Sequence, residues 1–138
     1  MFLIDNIESK AIVLAVPIEN PQQSQIQKKS IPTNRPIEIV WNHRWEYDKQ
    51  PQVFFDAMRL LKNAEFDFRL HILGQSFRSQ PKCFAVAKLE FNDEIVSWGY
   101  QDRKDYDRIL ATSDIVISSA LHDFQGLSML EAVAAGCI

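Results

Sequence analysis

The chain has 138 residues, of which 46% are hydrophobic and 24% are charged, a composition that suits one α/β domain and excludes a disordered or fibrous protein. Its 15 basic and 18 acidic side chains are mixed along the sequence and give a net charge of -3, so no nucleic-acid or membrane surface is indicated. Because the two cysteines are far apart, no apolar run nears the roughly 20 residues of a membrane helix and no signal peptide opens the chain, we expect a cytoplasmic protein.

Residues 1–35 differ in character from the rest of the chain. An apolar run at 11–16 is typical of a short strand, and a stretch rich in Gln, Ser and Lys follows it. Four prolines interrupt this region: Pro17, Pro21, Pro32 and Pro36. Such a composition predicts a linker. We place a domain boundary near Arg35, with residues 36–138 forming the main domain.

From residue 36 onward, apolar segments typical of strands alternate with amphipathic segments typical of helices. Strands are predicted at 37–41, 68–73, 94–99 and 114–118. Helices are predicted from near Pro51, over about 80–89 and after Asp102, which can cap its helix. The alternation predicts βαβ crossovers and a doubly wound, Rossmann-like parallel sheet. By analogy with such sheets, the strand order would be 3-2-1-4, with a ligand cleft between strands 1 and 4.

Residues 122–136 are the most informative stretch, since they join the fourth strand to a last helix. They hold two acids, Asp123 and Glu131, with Gly126 between them at the start of the helix. In an open parallel sheet, ligands lie outside the carboxyl ends of the strands, where helix N-termini offer N–H groups to anions. We expect Gly126 and Leu127 to present N–H groups to phosphates, and the two acids to flank one pocket.

Glu131 is the strongest single candidate, because a carboxylate can accept hydrogen bonds from both hydroxyls of a nucleotide ribose. Leu127, Leu130 and Val133 surround it and predict a mostly buried helix, in which a carboxylate without a partner is costly. The alternative is an exposed carboxylate near the positive end of the helix dipole.

The motif in this stretch is similar to a known signature. An acid, seven residues and a Glu, with Phe-x-Gly-Leu between them and Glu-Ala-x-x-x-Gly at the end, resemble the nucleotide-sugar motif of retaining GT-B glycosyltransferases. That motif usually begins with Glu, and here the first acid is Asp123.

One subgroup is more similar still, the tRNA-queuosine α-mannosyltransferases, also described as glycosyltransferase-like domain-containing proteins. Three segments carry this resemblance: Trp-Asn-His-Arg-Trp-Glu-Tyr-Asp-Lys (41–49), Trp-Gly-Tyr (98–100) and His-Asp-Phe-Gln-Gly-Leu-Ser-Met-Leu-Glu-Ala-Val (122–133). The similarity covers about residues 37–138. It departs at Asp123, where Glu is usual, and at Gln125, where an aromatic residue is usual.

This resemblance implies the C-terminal, donor-binding half of a GT-B fold, with residues 1–35 as at most the tail of a missing N-terminal acceptor domain. It implies retaining transfer of mannose from GDP-mannose to queuosine in tRNA, without a metal or other cofactor. The tRNA would bind through the missing domain. The last helix is expected to end at a glycine cap, Gly136. Because the sequence ends at residues 136–138, where a new strand would begin, we expect a domain incomplete at its C-terminal end. We expect this chain alone to bind a nucleotide weakly and to transfer nothing.

The resemblance also implies roles for two cations in the loop after the first strand. Arg44 and Lys49 lie five residues apart, a spacing that the family shares. A diphosphate leaving group needs positive charge as its bond to the sugar breaks. Either cation alone is better explained as a solvated charge, but both would face the loop of Asp123 and together they are predicted to be catalytic. Asp123 would contact donor-sugar hydroxyls or, alternatively, cap a helix.

Three further positions would shape the site. Gly74, after the second strand, and Gly99 with Tyr100, after the third, would form its floor and the pocket for the base. Glycines at strand ends are equally common as ordinary turn residues, so that alternative stays open.

The three histidines receive no catalytic role. His71 lies in the middle of a strand and is interpreted as a core residue with satisfied hydrogen bonds. His43 and His122 adjoin predicted site residues, but the sequence shows no Ser or Cys partner and no metal-ligand spacing for them.

Other functions were weighed against this one. A non-catalytic nucleotide-binding module would share the fold, because fold does not fix function, and abrupt ends would also fit a decayed gene fragment. A receiver domain is disfavoured because the first strand ends in Trp-Asn-His-Arg rather than in acids. A dehydrogenase is disfavoured because the chain has only four glycines and no Gly-x-Gly-x-x-Gly. The sequence makes no prediction of the oligomeric state.

Overall fold

The computed structural model describes residues 17–18 and 32–138. The strand predicted at 11–16 and most of the predicted linker lie outside the described residues. In chain order the elements are β1 (Ile37–Asn42), a 3-10 helix (Tyr47–Lys49), α1 (Pro51–Asn63), β2 (Phe68–Leu73), α2 (Cys83–Glu90), β3 (Ile95–Gly99), α3 (Arg103–Thr112), β4 (Ile115–Val116) and α4 (Leu127–Ala134). The predicted alternation of strands and helices is confirmed.

The four strands form one parallel sheet in the order β3-β2-β1-β4, which confirms the predicted order. β1 pairs with β2 along its whole length and with β4 through two residue pairs. Because all four strands are parallel, their carboxyl ends lie at one edge of the sheet, and the loops that follow them meet there.

β4 is shorter than the predicted strand at 114–118, since only Ile115 and Val116 are in the strand. After one more ladder bond, from the Ile117 N–H to the Val40 carbonyl oxygen, the chain leaves the sheet. The next two side chains bond to the end of β1 instead: Ser118 to His43 and Ser119 to Trp41. These cross-links explain why the strand ends early.

The sheet is covered on both faces, as a doubly wound fold requires. Successive side chains of a strand point to opposite faces. One buried cluster holds Ile39 and Trp41 of β1 with Phe54 and Phe55 of α1 and Phe84 of α2. The other cluster holds Val40 and Leu73 with Ile109 and Leu110 of α3 and Ala132 of α4. The two faces therefore have separate cores, and β1 contributes to both.

The N-terminus of α3 shows how local sequence sets an element boundary. Asp102 has extended backbone angles, and its carboxylate accepts a hydrogen bond of 2.8 Å from the N–H of Asp105. This is the predicted cap, which satisfies one of the unpaired N–H groups of the first turn. Tyr106, Ile109 and Leu110 then line the inner side of the helix.

The expectation that α4 is mostly buried is wrong. Only Ala132 is buried, whereas Leu127, Leu130 and Val133 are 37%, 47% and 56% exposed. The helix contacts β4 and α3 along one side, and these three apolar side chains lie on its solvent-exposed side. The apolar content of the sequence indicated burial, but it did not show on how many sides the helix is covered.

α4 ends at the predicted glycine. Gly136 has a φ of +96°, and its N–H donates to the Val133 carbonyl oxygen while the Cys137 N–H donates to that of Ala132. This pair of hydrogen bonds is a Schellman motif. Ile138 then exchanges hydrogen bonds with β4, donating to Asp114 and accepting from Val116. The residue after the cap thus adds to the sheet beside β4.

Gly74 is a position where a side chain is excluded by geometry. Its φ is +134°, and a Cβ there would lie 1.9 Å from the backbone oxygen of His43. We expect Gly74→Ala to lower the free energy of unfolding by more than about 3 kcal/mol, because backbone strain and a backbone clash add. Gly99→Ala is the matched control, with a φ of +89° but open space around the site, and should cost about 1–2 kcal/mol. If urea unfolding shows that Gly74→Ala and Gly99→Ala lower the free energy of unfolding equally, this account is contradicted.

Candidate functional site

The loop after β1 (43–50) and the loop after β4 (117–126) face each other at the carboxyl edge of the sheet, as predicted. Three hydrogen bonds join them: Lys49 Nζ to the His122 carbonyl oxygen (2.8 Å), the Leu121 N–H to the Asp48 carbonyl oxygen (2.9 Å) and Ser119 Oγ to the Lys49 carbonyl oxygen (2.8 Å). The two loops therefore form one surface, which carries four of the nine predicted site residues: Arg44, Lys49, Asp123 and Gly126.

The ring of His43 faces the loop after β4 and has a Ser partner there that the sequence did not show. Its Nε2 is 2.9 Å from Ser118 Oγ, and its Nδ1 is 3.9 Å from Asp123 Oδ2. The second distance is too long for a hydrogen bond, so the three side chains do not form a connected nucleophilic triad. The serine is 75 positions away in the sequence, which is why spacing alone did not show it.

The imidazole of His43 is kept neutral by its surroundings. Its side chain is 2% exposed, and burial lowers its pKa, an effect that the nearby carboxylate of Asp123 partly offsets. The positive charge of Lys49 lowers this pKa further. Asp123 therefore faces a neutral ring at neutral pH.

The two predicted cations are placed differently. Arg44 is exposed and pairs with Glu46 at 3.0 Å, within its own loop. Lys49 is buried, with its ammonium group hydrogen-bonded to the His122 carbonyl oxygen and 3.4 Å from Asp48. In this structure Lys49 holds the two loops together, and Arg44 is the cation that solvent reaches.

Asp123 accepts a hydrogen bond of 3.2 Å from the N–H of Gly126. The N–H of Gly126 is therefore engaged within the loop, although it was predicted to face phosphates. Gly126 has a φ of +61° and is the N-cap of α4. The N–H groups of Leu127 and Ser128 have no acceptor among the described residues. The two donors that the helix offers to an anion are thus those of its first and second residues.

Glu131 points towards α3, and both oxygens of its carboxylate are hydrogen-bonded. Oε1 accepts from Arg103 at 2.9 Å, and Oε2 accepts from the Tyr106 hydroxyl at 2.9 Å. Burial and the bond to Glu131 raise the pKa of Tyr106 well above its ordinary value, so the phenol keeps its proton. Arg103 also pairs with Asp107, and its guanidinium lies 5.8 Å from the centre of the Tyr106 ring.

Asn42, the last residue of β1, joins this group and was not predicted. Its amide nitrogen donates to the Tyr106 hydroxyl at 3.1 Å and to the Ser128 carbonyl oxygen at 2.9 Å. Its side-chain oxygen is buried and has no partner within the described part of the chain. Because Tyr106 lies on the apolar face of α3, the sequence indicated only a core residue there.

The three remaining predicted site residues lie at the ends of β2 and β3. Gly74 packs directly against the backbone of His43, and its N–H donates to the Gly99 carbonyl oxygen at 3.1 Å. Gly99 has open space on its Cβ side, and Tyr100 is 75% exposed. Gly74 thus packs against the backbone of the loop after β1, while Tyr100 presents an exposed aromatic face at the same edge of the sheet.

His71 is the core residue that was predicted. It is 5% exposed, and its two ring nitrogens lie 3.0 Å from Ser97 Oγ and 2.8 Å from Glu38 Oε2. Both nitrogens are therefore occupied by neighbouring strands, and the ring does not reach the site.

A separate cleft of about 350 Å³ lies at the N-terminal ends of α1 and α2. Its lining residues are Tyr47, Gln50, Pro51, Gln52, Pro81, Lys82 and Cys83. Burial raises the pKa of the Cys83 thiol, which keeps it protonated and poorly nucleophilic. The cleft shares no residue with the predicted site.

Two searches of the described residues bear on metals and membranes. The His, Cys, Asp and Glu side chains of residues 17–18 and 32–138 nowhere form a group of three that could hold a metal ion. None of the helices in this part of the chain has the length and apolar character needed to cross a bilayer. Metal-independent chemistry stays a prediction.

The fold and the site together define a class. A parallel sheet of order 3-2-1-4, flanked by helices on both faces, with a helix N-terminus and two acids at its carboxyl edge, is a Rossmann-like domain of the GT-B glycosyltransferase type. The chain belongs to the group 1 glycosyl transferases, whose family model matches residues 22–138.

A curated relative gives a closer comparison. The chain is 34% identical over 140 residues to the tRNA-queuosine alpha-mannosyltransferase of Drosophila melanogaster. This alignment covers 96% of the chain but only 37% of the relative, so the chain spans little more than a third of that protein's length.

Two solved structures share the fold at low identity. TarM is 21% identical with a TM-score of 0.59, and the match covers 79% of this chain and 22% of that one. The apo form of the lipopolysaccharide outer core galactosyltransferase WaaB is 15% identical with a TM-score of 0.65, covering 96% of this chain and 38% of that one. These matches confirm the predicted fold class.

The buried position of His43 predicts an acid-dependent loss of stability. Because burial lowers its pKa in the folded state, the unfolded chain takes up a proton first as the pH falls below about 6.5. The stability that the neutral ring contributes is fully present above that pH and is lost as the pH falls through the folded-state pKa. Denaturant unfolding between about pH 7 and pH 5 measures the slope of the free energy of unfolding against pH.

We expect the free energy of unfolding of His43→Gln to change less steeply with pH than that of the wild-type chain over the same range, because the variant lacks the group whose pKa is lowered by folding. His122→Gln is the control, since His122 is exposed. If His43→Gln leaves the slope of the free energy of unfolding against pH unchanged, His43 is excluded as the source of the pH dependence.

Proposed function

We propose that this chain is the donor-binding part of a retaining mannosyltransferase that transfers mannose from GDP-mannose to queuosine in tRNA, in the cytoplasm. The observation that carries the proposal is the 34% identity, over 96% of the chain, to a tRNA-queuosine alpha-mannosyltransferase. The site geometry supports it, because the residues of the shared motifs lie together at one edge of the sheet.

The nucleoside is held at α4 and α3 in this proposal. Glu131 accepts hydrogen bonds from the ribose hydroxyls, since its carboxylate lies at the carboxyl edge with each oxygen already fixed by one donor. Tyr100 and Gly99 lie at the end of β3, where an exposed aromatic face and open space suit a stacked base.

The diphosphate lies at the N-terminus of α4. The free N–H groups of Leu127 and Ser128 and the positive end of the helix dipole face it. Arg44 swings from Glu46 to the phosphates, and Lys49 contributes positive charge from the loop interface. These groups stabilise the charge that develops on the leaving group, and no metal ion is required.

Asp123 contacts the hydroxyls of the mannose. It lies beside a His43 ring that burial keeps neutral, so no positive charge of this histidine binds the carboxylate in place of the sugar. In the reaction the bond between the anomeric carbon and the diphosphate oxygen breaks, and GDP leaves with the electron pair. The acceptor hydroxyl gives its proton to the departing diphosphate, and its oxygen bonds to the anomeric carbon on the face that the diphosphate leaves.

The acceptor is bound elsewhere in this proposal. The chain spans 37% of the length of its mannosyltransferase relative, and the tRNA contacts belong to the part of such a protein that this chain does not match. A non-catalytic nucleotide-binding module is the second candidate, because it would use the same donor site without a transfer step.

Nucleotide binding is the first test. In thermal melts, GDP and GDP-mannose should raise the midpoint of the chain, whereas UDP and ADP should not, because the proposal names a guanosine donor. A ligand at about 100 times its Kd adds roughly 2.7 kcal/mol of stability. Glu131→Ala and Arg44→Ala should abolish the shift. Arg108→Ala should keep it, since Arg108 is 69% exposed and pairs with Asp105 of its own helix. A melt indifferent to every nucleotide would contradict the proposal.

Transfer is the second test. We expect the purified chain to incorporate no labelled mannose from GDP-mannose into queuosine-containing tRNA, because the acceptor-binding part is not supplied. The full-length Drosophila relative serves as the positive control for substrates and assay. A steady rate of incorporation by this chain would refute the division of labour proposed here.

A further inference from the structure

The carboxylate of Glu131 is held at two points by side chains of α3. Arg103 donates to Oε1 and the Tyr106 hydroxyl donates to Oε2, each at 2.9 Å. A carboxylate has about four lone-pair sites on its two oxygens. Each oxygen of Glu131 can therefore accept at least one further hydrogen bond. The two oxygens together can accept one bond from each of two neighbouring hydroxyl groups.

The Tyr106 hydroxyl is itself oriented by Asn42. A phenol has one hydrogen to donate, and that hydrogen goes to Glu131, so the oxygen accepts from the Asn42 amide at 3.1 Å. The second amide hydrogen of Asn42 goes to the Ser128 carbonyl oxygen at 2.9 Å. The resulting chain of bonds links the end of β1 to α3 and to α4, and its direction is fixed at every step.

The two partners of Glu131 differ in rigidity. Arg103 is 54% exposed and shares its guanidinium with Asp107, and a long exposed side chain is costly to hold in one geometry. Tyr106 has two side-chain torsions, is largely buried and is anchored at its ring and at its hydroxyl. Of the two, Tyr106 is the one that fixes where the carboxylate lies.

We propose that Asn42 and Tyr106 are positioning residues, which hold the Glu131 carboxylate so that it accepts both vicinal hydroxyls of the ribose of the donor nucleotide. This inference rests on the proposed donor site and names how its nucleoside contact is built. It assigns the discrimination between ribonucleotides and 2′-deoxyribonucleotides to these three side chains.

A purely structural role does not account for Asn42. Its side-chain oxygen is buried without a partner in the described residues, and an unpaired buried acceptor carries a desolvation cost. Asn42 lies at the border of an apolar cluster with Val40, Leu73 and Ala132, where an aliphatic side chain would pack without that cost. What the amide supplies, and an aliphatic side chain cannot, is a pair of donors, one to the Tyr106 hydroxyl and one to the Ser128 carbonyl oxygen.

The test compares GDP with 2′-deoxy-GDP by titration calorimetry. The wild-type chain should bind GDP more tightly than 2′-deoxy-GDP. Tyr106→Phe removes one hydrogen bond to a charged group, so the Kd for GDP should rise by about tenfold or more. The Kd for 2′-deoxy-GDP should change less, and the preference for the ribonucleotide should narrow. Tyr47→Phe is the matched control, since it removes an exposed hydroxyl away from Glu131 and should change neither constant.

A second variant separates binding from folding. Asn42→Leu removes the unpartnered oxygen, so the midpoint of thermal unfolding should be unchanged or higher, while the Kd for GDP rises as it does in Tyr106→Phe. The double variant should bind GDP no more weakly than either single variant, because both substitutions interrupt the same chain of hydrogen bonds. If Tyr106→Phe fails to fold, Asn42→Leu alone decides the question.

The outcomes are distinguishable. Binding of GDP by the wild-type chain with no loss in Tyr106→Phe or Asn42→Leu would overturn the positioning role and leave the proposed function intact. Equal losses for GDP and 2′-deoxy-GDP would also overturn it, because the loss would not depend on the ribose. A wild-type chain that binds no nucleotide would overturn the proposed function, and this inference with it.

Discussion

The parallel pairing of β1 with both β2 and β4 is the constraint on which the site depends. In the described sheet β1 lies between β2 and β4, and its side chains enter both cores. Because the strands are parallel, the loops after β1 and β4 leave from the same edge. The bonds of Lys49 and Ser119 across the two loops follow from that placement.

The polar side chains at this edge are oriented mainly by hydrogen bonds and ion pairs with other polar side chains. His43 is neutral because it is buried, and it bonds to Ser118 beside Asp123. Glu131 is held by Arg103 and Tyr106 on the other side of α4. Charged groups in such partly buried places are stable only with partners. The partners set the direction of each carboxylate before any ligand arrives, which lowers the cost of ordering them on binding.

The sequence predicted those features that depend on local pattern. The strand order, the cap at Asp102, the glycine after α4 and the satisfied core role of His71 follow from periodicity, capping chemistry and analogy, and all are confirmed. The exposure of one side of α4 and the serine beside His43 were missed. Both depend on which distant residues pack against an element, and neither composition nor spacing contains that information. Tyr106 was hidden because it shares the apolar spacing of Ile109 and Leu110.

The central claim is that the carboxyl edge between β1 and β4 binds a nucleotide sugar. A crystal structure of the chain with GDP-mannose tests it most directly. The account predicts the ribose hydroxyls within hydrogen-bond distance of Glu131 and the diphosphate at the N–H groups of Leu127 and Ser128. A nucleotide seated in the cleft beside Tyr47 and Lys82, with α4 unoccupied, would contradict it.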